Sequence, residues 1–152
     1  MKKTKIIALV LFALCAFALC SCNGGNEKDI IGVWRTENVG YYTVTTFKED
    51  GSFNSVYTVS DPEAVEAYGI TQEMLDSLSG ESFYTFVPES DLTPEEKELA
   101  KGRYAIKVFS TREEMEKALD GSLSITGGSM SFYTISGDTL TLDGCVFNRV
   151  EE

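Results

Sequence analysis

The feature that most restricts the fold is a run of short segments rich in β-branched and aromatic residues, each ended by a turn signal before it reaches helical length. Tyr41–Phe47, Ser52–Val59, Ser82–Val87, Arg103–Phe109, Ser122–Thr126, Met130–Ile135, Thr139–Leu142 and Cys145–Val150 all read this way, as does the segment around Trp34. β-Branched and aromatic side chains fit a pleated surface, and glycine supplies the turn conformations between strands. Strands that follow one another through short turns pair antiparallel, and such sheets protect their edges by closing or by stacking on a second sheet. The expected class is therefore all-β with short helical insertions, about nine short strands arranged as an antiparallel barrel or sandwich.

Two hairpins have predictable registers. A two-residue turn at Gly137 and Asp138 sets Ile135 opposite Leu140 and Tyr133 opposite Leu142, all on one face. For the earlier hairpin a two-residue turn at Asp50 and Gly51 opposes Phe53 to Lys48, whereas a three-residue turn with Gly51 left-handed opposes Phe53 to Phe47. The second is preferred because it joins two aromatic rings across the strands. Three helical pieces interrupt the strands. One begins at Asp61 with Pro62 in its first turn and runs, broken near Gly69, to Leu78. The others follow the capping boxes Thr93–Glu96 and Thr111–Glu114 and stop at Gly102 and Gly121. The acidic residues of these first turns are read as solvated faces that favour the helix dipole, not as ligands or catalysts. No internal repeat is visible.

The N-terminus reads as an address. Lys2, Lys3 and Lys5 precede an apolar run, Ile6–Leu19, that is short for a membrane span and typical of a secretory signal. Its end, Leu19–Ser–Cys22 with Cys20 between, resembles the lipobox of bacterial lipoproteins, with Cys22 as the acylated first residue of the mature chain. Cleavage before Cys20 would put Leu19 where a small residue is needed. The expected organisation is a lipoprotein signal peptide over residues 1–21, a flexible tether over 22–28 and one barrel domain over 29–152. Lipidation of Cys22 would leave Cys145 without an intramolecular partner, so no disulfide framework is expected.

Removing the leader leaves ten basic residues against 24 acidic ones, a charge of −14. Such a chain repels phosphate backbones and anionic headgroups, which argues against nucleic acid as a partner and leaves attachment to the bilayer to acyl chains on Cys22.

Gly32-Val-Trp34 at the start of the first strand, Phe47-Lys-Glu-Asp-Gly-Ser-Phe53, and Tyr133-Thr-Ile-Ser-Gly-Asp-Thr-Leu-Thr-Leu142 followed by Phe147-Asn-Arg149-Val resemble the bacterial lipocalin-like domain lipoproteins, of the calycin type of β-barrel. The resemblance implies a lipocalin-like antiparallel up-and-down β-barrel of about eight or nine strands in which the first and last strands are neighbours, with the Arg149 guanidinium laid over the Trp34 indole as a barrel-closure motif with Gly32. It implies an outer-membrane lipoprotein of a Gram-negative bacterium, facing the periplasm or the cell surface. It further implies a small apolar or amphipathic ligand in the barrel, with Tyr57, Tyr133 and Ile135 as candidate contacts.

Catalytic signatures are missing. The chain has no histidine, which removes Ser-His-Asp and Cys-His catalysis and histidine-ligated zinc sites. Gly127 and Gly128 lie between strands and form no phosphate loop. No enzyme, cofactor or metal is expected. Two functional classes stand: a binding module with a ligand in the barrel mouth, in which Ile70, Met74, Leu75 and Leu78 of the Tyr68–Leu78 helical stretch form a lid, or a cell-envelope interaction protein with a filled barrel that docks a protein.

Overall fold

The computed structural model describes residues 26–121 and 127–151. Cys22 with its leader, and the expected strand Ser122–Thr126, lie outside the described residues. Eight strands form a closed antiparallel barrel in sequence order: β1 (Gly32–Glu37), β2 (Tyr41–Phe47), β3 (Ser52–Val59), β4 (Gly80–Phe86), β5 (Tyr104–Phe109), β6 (Ser129–Ser136), β7 (Thr139–Leu142) and β8 (Cys145–Arg149). Closure occurs where Trp34 and Arg35 of β1 pair with Arg149 and Asn148 of β8. The lipocalin-like up-and-down architecture read from the sequence is the one observed.

Both hairpin registers are as expected: Ile135 opposes Leu140 and Tyr133 opposes Leu142, while Phe47 opposes Phe53 with Gly51 left-handed at φ 78°. The Phe47 and Phe53 rings stack at 5.0 Å. The helical stretch is two helices, α1 (Pro62–Ala67) and α2 (Gln72–Leu78), capped by Asp61 and Thr71. Gly69 breaks it with a φ of 69°. The capping boxes at Thr93 and Thr111 open α3 (Pro94–Leu99) and α4 (Arg112–Leu119).

The registers also fix the width of the barrel. Followed from strand to strand once around, a path that leaves β1 at residue 34 returns at position 46, a shear of 12. With ordinary strand spacing and rise, eight strands at that shear tilt by about 46° and lie about 9 Å from the axis, against about 7.6 Å at a shear of eight. The interior is correspondingly wider than the eight-stranded core of a (β/α)₈ barrel, which its own side chains fill.

Ser52, with 1 % of its surface exposed, anchors the β2–β3 turn. The Asp50 carboxylate accepts from the Ser52 amide at 2.9 Å and hydroxyl at 2.7 Å, and pairs with Arg112 of α4 at 2.9 Å. The Ser52 hydrogen bonds, with Arg112 adding, hold the Asp50 pKa at about 2 instead of 3.8. A pKa lower in the folded than in the unfolded state stabilises fully above pH 3.8 and loses that contribution as pH falls through about 2. Acid titration followed by circular dichroism should therefore show Asp50→Asn flattening the wild-type stability profile between pH 4 and 2. Parallel wild-type and variant profiles across that window would refute the assignment.

Candidate functional site: one sealed and one accessible half of the barrel

One end of the barrel is sealed from residues that lie next to each other in sequence and from one that does not. A short 3-10 helix, Glu27–Ile30, precedes β1 and is closed by a capping box between Asn26 and Asp29. Residues 26–28, expected within the tether, thus belong to the folded base. Ile30 and Trp34 are fully buried, and the indole Nε1 donates to the Ile30 carbonyl at 2.6 Å. Arg149 places its guanidinium carbon 4.2 Å from the indole ring centre. Its Nη2 donates to the Asp29 carbonyl at 2.7 Å and its Nη1 to the Ile31 carbonyl at 3.2 Å. The cation therefore covers an aromatic face and satisfies two backbone acceptors of the incoming chain. Gly32 explains itself here: a Cβ at this position would lie 2.6 Å from Arg149 Nη1, and its φ of 137° is one that side chains disfavour.

Above this plug the lower half of the barrel is solid. Trp34, Phe47, Tyr84, Ile106, Tyr133, Ile135 and Leu140 form one buried cluster, with Phe53, Phe86, Tyr104 and Phe147 packed against it. Tyr133 donates its hydroxyl to the Glu27 carbonyl at 2.5 Å, and burial pushes its phenol well above the usual pKa. Tyr84 donates to the Lys48 carbonyl at 2.8 Å, and burial with nearby Asp50 and Glu49 raises its pKa to about 12. Both phenols thus stay protonated donors at neutral pH and tie the interior to the turns below it.

The structure separates the three residues expected around a ligand. Tyr133 and Ile135 sit in the packed lower cluster. Tyr57 lies on the inner face toward the other end, half-buried, opposite Thr43 and with its ring 6.2 Å from that of Tyr41. Burial, then the proximity of Tyr41 and Cys145, raises the Tyr57 phenol pKa. Cys145, on the last strand and exposed, thus shares the rim with two tyrosines.

The inner wall at this accessible end is made by residues whose role was not read from the sequence. Strand alternation from Trp34 carries inward Thr36, and the pairings add Thr43, Thr45 and Ser55. Ser82 lies opposite inward Phe53, and Ser131 opposite inward Ile106. Thr45 and Ser55 hydroxyls meet at 2.9 Å. The available signal was the phase of the alternation in Tyr-Tyr-Thr-Val-Thr-Thr-Phe, which puts threonine and not valine on the face that Phe47 shares. Threonine in a strand is ordinarily explained by β-propensity alone, so the pattern does not stand out before the faces are known.

The helical insertion sits at this same end, between the last residue of β3 and the first of β4. The Gly40 carbonyl of the β1–β2 turn accepts from Ser60 and Asp61 at 2.9 and 3.0 Å, and α1 packs so closely there that a Cβ on Gly40 would lie 2.8 Å from Val65. The β3–β4 ladder runs only through Ser52–Ser55 of β3. Above it, the Tyr57 amide donates to Ser79 Oγ at 3.2 Å, and α2 packs beside β3. Of the four residues expected beneath a lid, Leu75 is buried and Ile70 half-buried, while Met74 and Leu78 are exposed, as is Tyr68.

A pocket of about 400 Å³ lies outside the barrel, between the base and the β4–β5 connection, lined among others by Val87, Leu92 and Tyr104. Its rim mixes Glu27 and Glu89 with Lys97, Lys101 and Arg103, so it offers no field of one sign to a charged ligand. No protein-family model matches the chain, and no curated protein or solved structure is significantly similar to it.

Proposed function

We propose that this chain is a non-catalytic binding protein of the cell envelope, anchored by acylated Cys22, that holds a small molecule in the accessible half of its barrel. The observation that carries the reading is the asymmetry of the interior: Trp34, Ile30 and Arg149 seal one end, while half-buried Thr36, Tyr57 and Ser131 line the other. A shear of 12 makes the barrel wider along its whole length than a shear of eight does, which supports the reading. The order of Gly32-x-Trp34, the Asp50-Gly51 turn and a terminal Arg149 in a lipobox-bearing chain supports membership among lipocalin-like lipoproteins. The absence of histidine from the sequence supports binding without turnover.

One observation favours the second reading, docking of a protein partner. Tyr68, Met74 and Leu78 of the insertion are exposed by 69 %, 52 % and 62 %, and large apolar side chains exposed together are what a docking surface offers. The two readings separate by thermal unfolding in the presence of small molecules. A ligand that binds only the folded barrel raises the unfolding temperature by mass action. The expected result is a concentration-dependent rise that Tyr57→Ala abolishes and that Met74→Ser leaves unchanged. Stoichiometric capture of one envelope protein, lost in Met74→Ser and with no small-molecule shift, would establish the docking reading instead.

A further inference from the structure

We infer that the accessible half of the barrel takes a neutral carbohydrate and not an acyl chain, an inference that rests on the small-molecule reading above. At this level of the barrel the usual distribution of side chains is reversed. Thr43 and Thr45, each 5 % exposed, face inward, whereas Val56 on the adjacent strand faces outward with 45 % exposed. A strand built only for β-propensity and a greasy interior would carry these residues the other way round. Most of the apolar inner residues are instead gathered in the sealed half, where the protein's own rings already fill the space, with Val59, opposite Tyr41, the apolar exception at the rim.

The chemistry of the wall selects the ligand. Hydroxyls of Thr36, Thr43, Ser55 and Ser131 both donate and accept, which matches the paired donor and acceptor character of sugar hydroxyls. Thr43 makes no side-chain hydrogen bond, yet no buried side-chain polar atom among the described residues lacks a partner. Its hydroxyl is therefore still reachable from the interior. An acyl chain in the same place would remove water from each of these groups and replace none of the lost hydrogen bonds. A charged ligand would meet no compensating charge: although the chain has 24 acidic and 13 basic residues, none of the inward positions from Thr36, Thr43, Thr45 and Ser55 to Ser131 is ionic. Tyr41 and Tyr57, tilted by 40° at 6.2 Å, supply ring faces for the C–H side of a pyranose and phenols for its rim, the mixed character for which tyrosine is suited.

Isothermal titration of the purified protein with maltose, cellobiose, lactose and diacetylchitobiose, and separately with laurate, tests this. At least one disaccharide is expected to bind saturably, with affinity falling about tenfold in Thr43→Val, where a single hydroxyl becomes a methyl, and further in Tyr57→Ala. Ser131→Ala is a second hydroxyl deletion should Thr43→Val unfold, and thermal unfolding of each variant reports whether the barrel is intact. Laurate binding that Tyr57→Ala weakens, with every disaccharide silent, would overturn the ligand class and leave the binding cup standing. Disaccharide binding indifferent to Thr43, Ser131 and Tyr57 would place the site elsewhere and overturn the inference. No heat from either class would remove the small-molecule reading, and this one with it.

Discussion

Trp34→Ala is expected to lower the stability of the barrel by about 3 to 5 kcal/mol, the loss typical of a large buried aromatic truncated to a methyl. The side chain is completely buried, and the backbone of β1 is fixed on both sides by β2 and β8. The cavity left behind therefore has little means of collapsing. The truncation also removes the donor to Ile30 at 2.6 Å and the face on which the Arg149 guanidinium lies at 4.2 Å. For that reason the effect should not add to that of Arg149→Met, which keeps much of the aliphatic stem while deleting the cation and its two backbone contacts. Chemical denaturation of the two single variants and the double variant gives the coupling; residues in contact couple by about 0.5 to 3 kcal/mol. Additivity within about 0.5 kcal/mol would show that the contact carries no energy of its own. An unchanged midpoint for Trp34→Ala would remove the sealed base from the account of stability.

Cys22→Ser is expected to move the protein from the membrane fraction to the soluble fraction, or to leave an unprocessed precursor. Two or more acyl chains hold a protein to a bilayer far more strongly than one, each buried methylene contributing about 0.8 kcal/mol. No helix among the described residues is long and apolar enough to cross a membrane, and with the leader removed 24 acidic residues would stand against ten basic ones, a balance that disfavours anionic headgroups. Membrane flotation of wild type, Cys22→Ser and Cys20→Ser separates the possibilities. Release in Cys20→Ser alone would move the lipidated residue, and full retention of Cys22→Ser would end the lipoprotein reading.

Such anchoring has a geometric consequence for the barrel. The described residues begin at Asn26, whose side chain caps the Glu27–Ile30 helix, and that helix is tied to the sealed end through Tyr133, Trp34 and Arg149. Only the residues from Cys22 to Gly25 then separate the lipid from the base, a reach of about 14 Å at full extension. With Cys22 acylated, the accessible end, with Tyr41, Tyr57 and the α1–α2 insertion, would face away from the bilayer.

What could be read from the sequence was local, because its causes are local. The two-residue Gly137-Asp138 turn and the three-residue turn that ends at left-handed Gly51 set the registers of their hairpins through a few neighbouring dihedrals. The boxes at Thr93 and Thr111 close within one helical turn. The neighbouring placement of Trp34 and Arg149 follows from residue type and terminal position once a closed barrel is assumed. What the sequence could not decide depends on how many strands close and with what stagger. Carried around the barrel, the stagger determines width and level, so it sorts Tyr133 and Ile135 into the packed half and Tyr57 into the accessible half, although all three share the same inward phase. The burial of Ile30 and the engagement of the Asp29 and Ile31 carbonyls by Arg149 likewise join residues more than a hundred positions apart. Alternation tells which face of a strand is inside; only the closed tertiary structure tells how far down the inside a residue lies and whether anything else already fills the space there.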